Sequence, residues 1–192
     1  SLDAGATALE VVIEGGGTRL IQVTDNGSGI EKEDLPLALC RHATSKISTQ
    51  DELFSVATLG FRGEALASMA SISRLTLTST LSGSDSGWCV ATEGGSFSSP
   101  KPVPPVPGTL VAVRDLFYNV PARRKFLKTE KTEFNHLEEV VKRLALSRFD
   151  VAFSLRHNGR GIHQLKAGTG QVEQQRRVAT VCGPAFMDQA IY

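Results

Sequence analysis

Long hydrophobic runs are missing from this 192-residue chain, and a membrane-spanning helix, which needs about 20 consecutive apolar residues, is thereby excluded. The opening residues, Ser1-Leu2-Asp3-Ala4-Gly5, have neither the charged n-region nor the apolar h-region of a secretory signal. Cysteine is scarce: Cys40, Cys89 and Cys182 are odd in number and far apart, which fits buried, reduced thiols better than a disulfide framework or a metal site. Net charge is also nearly absent, at +1, so any nucleic-acid contact has to come from a local cluster rather than a general basic coat. A soluble, cytoplasmic protein is expected. With 41% hydrophobic and 21% charged residues, the chain can bury one core and begin a second. No internal repeat is visible.

Leu9 to Glu14 and Leu20 to Thr24 are short Val- and Ile-rich runs joined by Gly15-Gly16-Gly17, the pattern of an antiparallel hairpin. Glu31 to Arg41 predicts a helix with Pro36 in its first turn. A shorter helix is expected over Asp51 to Val56 and another over Glu64 to Ala70. Arg74 to Thr80, Trp88 to Thr92 and Thr109 to Val113 alternate apolar and polar residues and read as strands. Glu93 to Gly108, dense in Ser, Gly and Pro, reads as a surface connection. Asn119 is placed to cap a helix beginning near Pro121. The clearest helix is Thr132 to Phe149, with Leu137, Val141, Leu144 and Ala145 on one face. Val151 to His157 and Arg160 to Lys166 flank Asn158-Gly159, a tight-turn dipeptide. Ala167 to Gly170 looks like a linker, so residues 1–168 are read as one domain. Residues 169–192, with a helix around Gln174 to Val181, are read as the linker and truncated start of a second α/β domain. Because Leu2-Asp3-Ala4-Gly5 reads like a helix end running into a turn, the chain is expected to begin inside its first domain.

Four segments have the composition for chemistry. Asp25-Asn26-Gly27-Ser28-Gly29 ends the second strand. A buried carboxylate there is a natural acceptor for the amino group of adenine, and Gly27 and Gly29 would let a purine lie against backbone. An ordinary Asp-Asn-Gly turn explains the same residues. Gly60-Phe61-Arg62-Gly63-Glu64-Ala65-Leu66 places two glycines before a helix, whose unpaired N–H groups suit phosphate. It has neither the ending of a P-loop nor the spacing of a dinucleotide fingerprint. His42-Ala43-Thr44-Ser45-Lys46 is small and polar with a cation at its end, the make-up of a lid over phosphates. His42 is read as a hydrogen-bonding residue rather than a general base. In Leu116 to Lys128, aromatic residues interleave with Arg123, Arg124, Lys125 and Lys128. That segment is either a DNA-facing patch or a helix that buries Phe126 and Leu127 and leaves its charges solvated.

Together with Ser1 to Ala6, these motifs resemble the N-terminal ATPase of the MutL family of DNA mismatch-repair proteins, over nearly the whole chain. Asp25 to Gly29 is shared with the wider superfamily of gyrase B subunits, heat-shock chaperones and sensor histidine kinases. The Arg41 to Lys46, Gly60 to Leu66 and Phe117 to Phe126 segments are far more specific. The resemblance implies an α+β fold, a two-layer sandwich of a mixed, mostly antiparallel sheet with helices on one face, binding ATP and Mg2+. It carries over Asp25, with Gly27 and Gly29, to adenine, Gly60, Phe61, Arg62, Gly63, Glu64, Ala65 and Leu66 to the phosphates, Thr44, Ser45 and Lys46 to the lid, and Thr109 to a second contact near the base. In this family a segment just before Ser1 supplies the glutamate that activates water and the asparagine that ligates magnesium. No catalytic or metal-binding residue is therefore assigned within the chain, and the fragment alone is expected to be inactive. The resemblance further implies an ATP-dependent homodimer, a MutS-type partner, DNA, and a downstream nicking endonuclease and helicase, in a bacterial, nucleoid-associated setting. The alternatives are another ATPase of the superfamily, or an interaction module that binds no nucleotide.

Overall fold

A computed structural model of the chain describes residues 1–43, 63–93 and 95–189. Its strands are β1 (Ala8–Glu14), β2 (Leu20–Asp25), β3 (Arg74–Ser79), β4 (Gly87–Glu93), β5 (Ser96–Phe97), β6 (Lys101–Val103), β7 (Thr109–Arg114), β8 (Ala152–His157) and β9 (Arg160–Leu165). Its helices are α1 (Leu35–Ala38), α2 (Ala65–Ser71), α3 (Pro121–Arg124), α4 (Glu130–Ser147), α5 (Gln171–Cys182) and α6 (Pro184–Met187). The strands form one sheet in the order β5-β4-β3-β7-β2-β1-β8-β9, with β6 also paired to β4. Every pairing is antiparallel except β1 with β8, which α4 connects to the rest of the chain as a crossover requires. This is the mixed, mostly antiparallel α+β architecture expected. No helix among the described residues is long and apolar enough to cross a membrane.

Strand register explains which side becomes the core. Ile13 pairs with Ile21, Ile21 with Val113, and Val113 with Leu75. One step along, Val11, Val23, Val111 and Leu77 form a second row across the same four strands, which Val90 extends into β4. Side chains at alternate positions share a face, so both apolar rows point the same way and the helices cover that side. On one half, Phe134, Val141 and Ala145 of α4 pack with Ile13, Phe153 and Leu155. On the other, Leu35, Leu39 and Ala70 pack on Leu75, Leu77, Val90 and Val113. Full burial of each large aliphatic or aromatic side chain contributes about 1.5–3 kcal/mol, which explains why this face, rather than local propensity, decides where the helices lie.

Several local expectations are corrected. The helix foreseen over Glu31 to Arg41 is only α1, because after Pro36 the chain tightens: Leu39 N–H donates to Pro36 O and Cys40 N–H to Leu37 O, bonds spanning three residues. Glu93 to Gly108 is not wholly irregular but contributes β5 and β6. Pro102, which cannot donate to a ladder, is tolerated because β6 lies at the sheet edge. Asn119 does not cap α3; its side-chain amide donates to Ser71 O at 2.9 Å. The cap of α4 is instead Thr129, whose hydroxyl accepts from Thr132 N–H. Cys40 and Cys182 are exposed and Cys89 half-buried; Cys89 alternates with Trp88 and Val90 and so points to the uncovered face. The helix expected over Asp51 to Val56 lies outside the described residues.

Glu138, on α4, ties the helix to the sheet. It pairs with Lys142 Nζ at 2.8 Å and with His163 Nε2 of β9 at 2.7 Å. Burial pushes its pKa up, but the bonds from Lys142 and His163 more than offset this and leave it below the usual glutamate range. A carboxyl whose folded-state pKa is lowered contributes stability above its unfolded pKa and loses it as pH falls through the folded value. Glu138→Gln is therefore expected to cost about 1 kcal/mol in urea denaturation at neutral pH, with the difference shrinking at an acid pH below the lowered folded-state value, where both chains carry a neutral group. A loss of the same size at both pH values would mean that packing, not charge, is what the glutamate contributes.

Candidate functional site

At one end of the covered face the apolar rows give way to polar residues. Leu9 pairs with Asp25, Asp25 with Thr109, Thr109 with Ser79, and Ser79 with Trp88. The register of five strands therefore sets a carboxylate and two hydroxyls side by side, next to the single tryptophan. Asp25 and Ser79 are buried, at 5% and 0% exposure. Buried polar groups need partners, and these have them. Asp25 Oδ1 accepts from Gly27 N–H at 2.9 Å and Thr109 N–H at 3.3 Å, and Oδ2 accepts from the Ser1 hydroxyl at 2.5 Å. Ser79 Oγ accepts from Ile30 N–H at 2.9 Å and lies 2.8 Å from Thr109 Oγ1. A carboxylate offers about four lone-pair directions, so Asp25 retains acceptor capacity beyond these three bonds.

Asp25 Oδ1 builds the turn through Gly27 N–H, as an ordinary Asp-x-Gly turn would. Oδ2 accepts from the Ser1 hydroxyl instead. The glycines here serve packing of the loop. Gly29 has φ +80, and a Cβ on it would come within 2.1 Å of Thr80 O. The loop is also held by Ser28 N–H donating to Ala4 O and Ser82 N–H donating to Ser28 O, each at 3.0 Å. Gly108, which the sequence did not single out, has φ +53 and lies so close that a Cβ would meet Asp25 O and Gly27 N at 2.6 Å and Asp25 Oδ1 at 2.8 Å. Ser79 was missed as well. Its place is visible only through pairing register, which one strand read alone does not reveal.

Of the phosphate and lid segments, Thr44, Ser45, Lys46, Gly60, Phe61 and Arg62 lie outside the described residues. The flanks that are described come together: His42 Nδ1 is 3.2 Å from Glu64 Oε1, both side chains exposed. Gly63 and Glu64 lead into α2, which contains Ala65 and Leu66. Two residues separate α2 from β3, and there Ile72 O accepts from Phe117 N–H. Among the described residues no group of three or more His, Cys, Asp and Glu is arranged to hold a metal ion.

The basic segment is far from this end. Leu20, Arg114 and Arg74 form the opposite terminal row, five residues or about 17 Å along the strand from Asp25. There Leu116 N–H donates to Thr18 O and Phe117 N–H to Ile72 O, which brings Arg123, Arg124, Lys125 and Lys128 to that end, all exposed. The core-filling alternative fails for Phe126, which is 81% exposed; Leu127 is half-buried.

Residues 1–107 match the family model described as histidine kinase-, DNA gyrase B-, and HSP90-like ATPase. The whole chain aligns at 63% identity with the DNA mismatch repair protein MutL of Cellvibrio japonicus, of which it covers 31%. It aligns at 57% with MutL of Pseudomonas entomophila, covering 30%. The chain thus spans about three tenths of the length of these curated relatives. Among solved structures, the MutL ATPase domain of Aquifex aeolicus complexed with ADP is similar at 36% identity and a TM-score of 0.74, over 95% of this chain and 63% of that one.

Proposed function

The chain belongs to the histidine kinase-, DNA gyrase B- and HSP90-like ATPase family, and on that premise we propose that it is the ATP-binding part of a MutL-type DNA mismatch-repair ATPase. The observation that carries the reading is the polar row of Asp25, Thr109 and Ser79 at one end of the helix-covered sheet face. Adenine would lie across this row with its amino group donating to Asp25, over backbone at Gly27, Gly29 and Gly108. Thr109 presents its hydroxyl beside the carboxylate, and Ser79 holds that hydroxyl in place.

The phosphates, on this reading, extend toward the start of α2. Gly60, Phe61, Arg62, Gly63, Glu64, Ala65 and Leu66 border them on one side, and Thr44, Ser45 and Lys46 cover them. Magnesium supplies charge neutralisation at the phosphates when bound; no residue described here is assigned to it. ATP then favours the associated form of two copies and hydrolysis releases them, a population shift driven by differential affinity for nucleotide. In the cell this cycle would operate in the cytoplasm, near the nucleoid, between a MutS-type mismatch-recognition protein and a nicking endonuclease and helicase. Arg123, Arg124, Lys125 and Lys128 are the proposed DNA contacts, through phosphate neutralisation.

Titration of fluorescently labelled ATP, with and without magnesium, against this chain and against the intact protein tests the reading. Saturable binding competed by unlabelled ATP is expected. No binding to either would leave a nucleotide-free interaction module as the better account.

A further inference from the structure

Phe126 is the most exposed large apolar side chain described, at 81%, against 55% or less for the others. Its exposure is not that of a frayed end. The N–H groups of Lys125, Phe126 and Leu127 donate to the carbonyls of Pro121, Arg123 and Arg124, and Lys128 N–H donates to Glu133 Oε1 at 2.7 Å. The backbone is thus tied to α3 on one side and to α4 on the other, with the ring held outward. Neither apolar cluster includes it. Around it, residues 116–129 contain no acid and four cations, Arg123, Arg124, Lys125 and Lys128. None of the four has an ion-pair partner among the described residues. The nearest acids in sequence are engaged elsewhere: Asp115 with Arg74, Glu130 with Asn158, Glu133 with the Lys128 backbone.

We infer that Phe126 is a stacking platform for an unpaired base, which makes this basic segment a site for single-stranded DNA rather than for duplex alone. The inference rests on the DNA reading above and deepens it. Cations alone neutralise phosphates and do not distinguish one strand from two. An exposed aromatic ring between cations adds a partner that only an unstacked base can meet. Such stacking is sequence-tolerant, because every base has a π-face. The polyanion is the occupant that fits the charge, and the ring is the feature that a stacked duplex leaves without a partner.

The test measures binding of a single-stranded oligonucleotide and of a duplex of the same sequence across a salt series, for the wild-type chain, Phe126→Ala, Phe126→Trp and Arg123→Ala/Arg124→Ala. The expected result is that Phe126→Ala weakens single-strand binding about five- to hundred-fold, while duplex affinity and the salt slope stay as in wild type. Phe126→Trp should retain single-strand affinity, and its added indole fluorescence should be quenched by the oligonucleotide. The double arginine variant should weaken both substrates and flatten the salt slope by about two phosphate contacts. A loss in the arginine variant with none in Phe126→Ala overturns stacking and leaves the phosphate reading intact. An equal loss on both substrates in Phe126→Ala also overturns it, since the ring would then not discriminate strandedness. No salt-dependent binding of either DNA by the wild-type chain would overturn the DNA reading and the stacking together. All four proteins should keep the same ATP affinity, because the segment is at the far end of the sheet from Asp25.

Discussion

Replacing Asp25 by Asn should weaken ATP binding by about 1–3 kcal/mol, roughly five- to 150-fold in affinity, while the chain remains folded. The carboxylate has two separable duties. Oδ1 accepts from Gly27 and Thr109 N–H groups and so shapes the loop; the carbonyl oxygen of an asparagine is able to keep that duty. Oδ2 is the position where an amide nitrogen would replace an acceptor with a donor. On the proposed reading a donor there would oppose the amino group of adenine, and burial would keep water from relieving the clash. Selectivity should change in the same direction: the variant should lose more affinity for ATP than for GTP, whose ring carries an acceptor where adenine carries its amino group. Isothermal titration of both nucleotides, with circular dichroism as a control for folding, measures this. Unchanged ATP affinity in a folded variant would remove Asp25 from the site.

The contrast between Asp25 and Ser79 shows how far the sequence alone reaches. Asp25 was legible because an acid followed by two glycines at a strand end is a local pattern, and local patterns survive in one dimension. Ser79 was not, although it is fully buried and touches Thr109. Its strand, β3, is separated from β2 by 48 residues that include segments outside the described ones, and only the β2-β7-β3 ladder brings the three residues into line. The sheet order was similarly invisible. Strand periodicity shows which side chains share a face but not which strand is the neighbour. Helices fared according to length. The eighteen-residue α4 was recognised from its apolar face, whereas α1 was overextended because Leu and Ala density does not reveal where tertiary contacts bend the chain. Whether Phe126 fills the core was left open for a related reason. An aromatic beside a leucine resembles a core pair, but Phe126 is exposed and Leu127 only half-buried, and neither joins a core cluster.

Arg177 carries the largest stability effect expected, and composition offered no hint of it. The residue is 4% exposed and has no carboxylate partner among the described residues. Its guanidinium donates instead to four backbone carbonyls: Ala145 at 3.0 Å, Arg148 and Val151 at 2.9 Å, and Lys166. The first two belong to the end of α4, where the last carbonyls of a helix lack intrahelical donors and carry the negative end of the macrodipole. One side chain thereby satisfies acceptors from α4, the start of β8 and the end of β9, and fastens α5 across all three. Phe149 and Phe153 face it at 5.5 and 6.0 Å, within cation-π range. Burial lowers the pKa of the guanidinium from its ordinary value, yet arginine remains charged at any pH where the protein is folded. Arg177→Ala would remove the guanidinium from all four carbonyls, of which Arg148 O keeps the N–H of Val151 as a donor, in a space closed to water, a loss of about 3–5 kcal/mol. Arg177→Lys should recover only part of it, since a single ammonium cannot span acceptors that a planar fork reaches. Urea denaturation of the three proteins decides the point. Should Arg177→Ala cost less than about 1 kcal/mol, water must reach those carbonyls, and α5 would be a loosely docked segment rather than part of the folded unit.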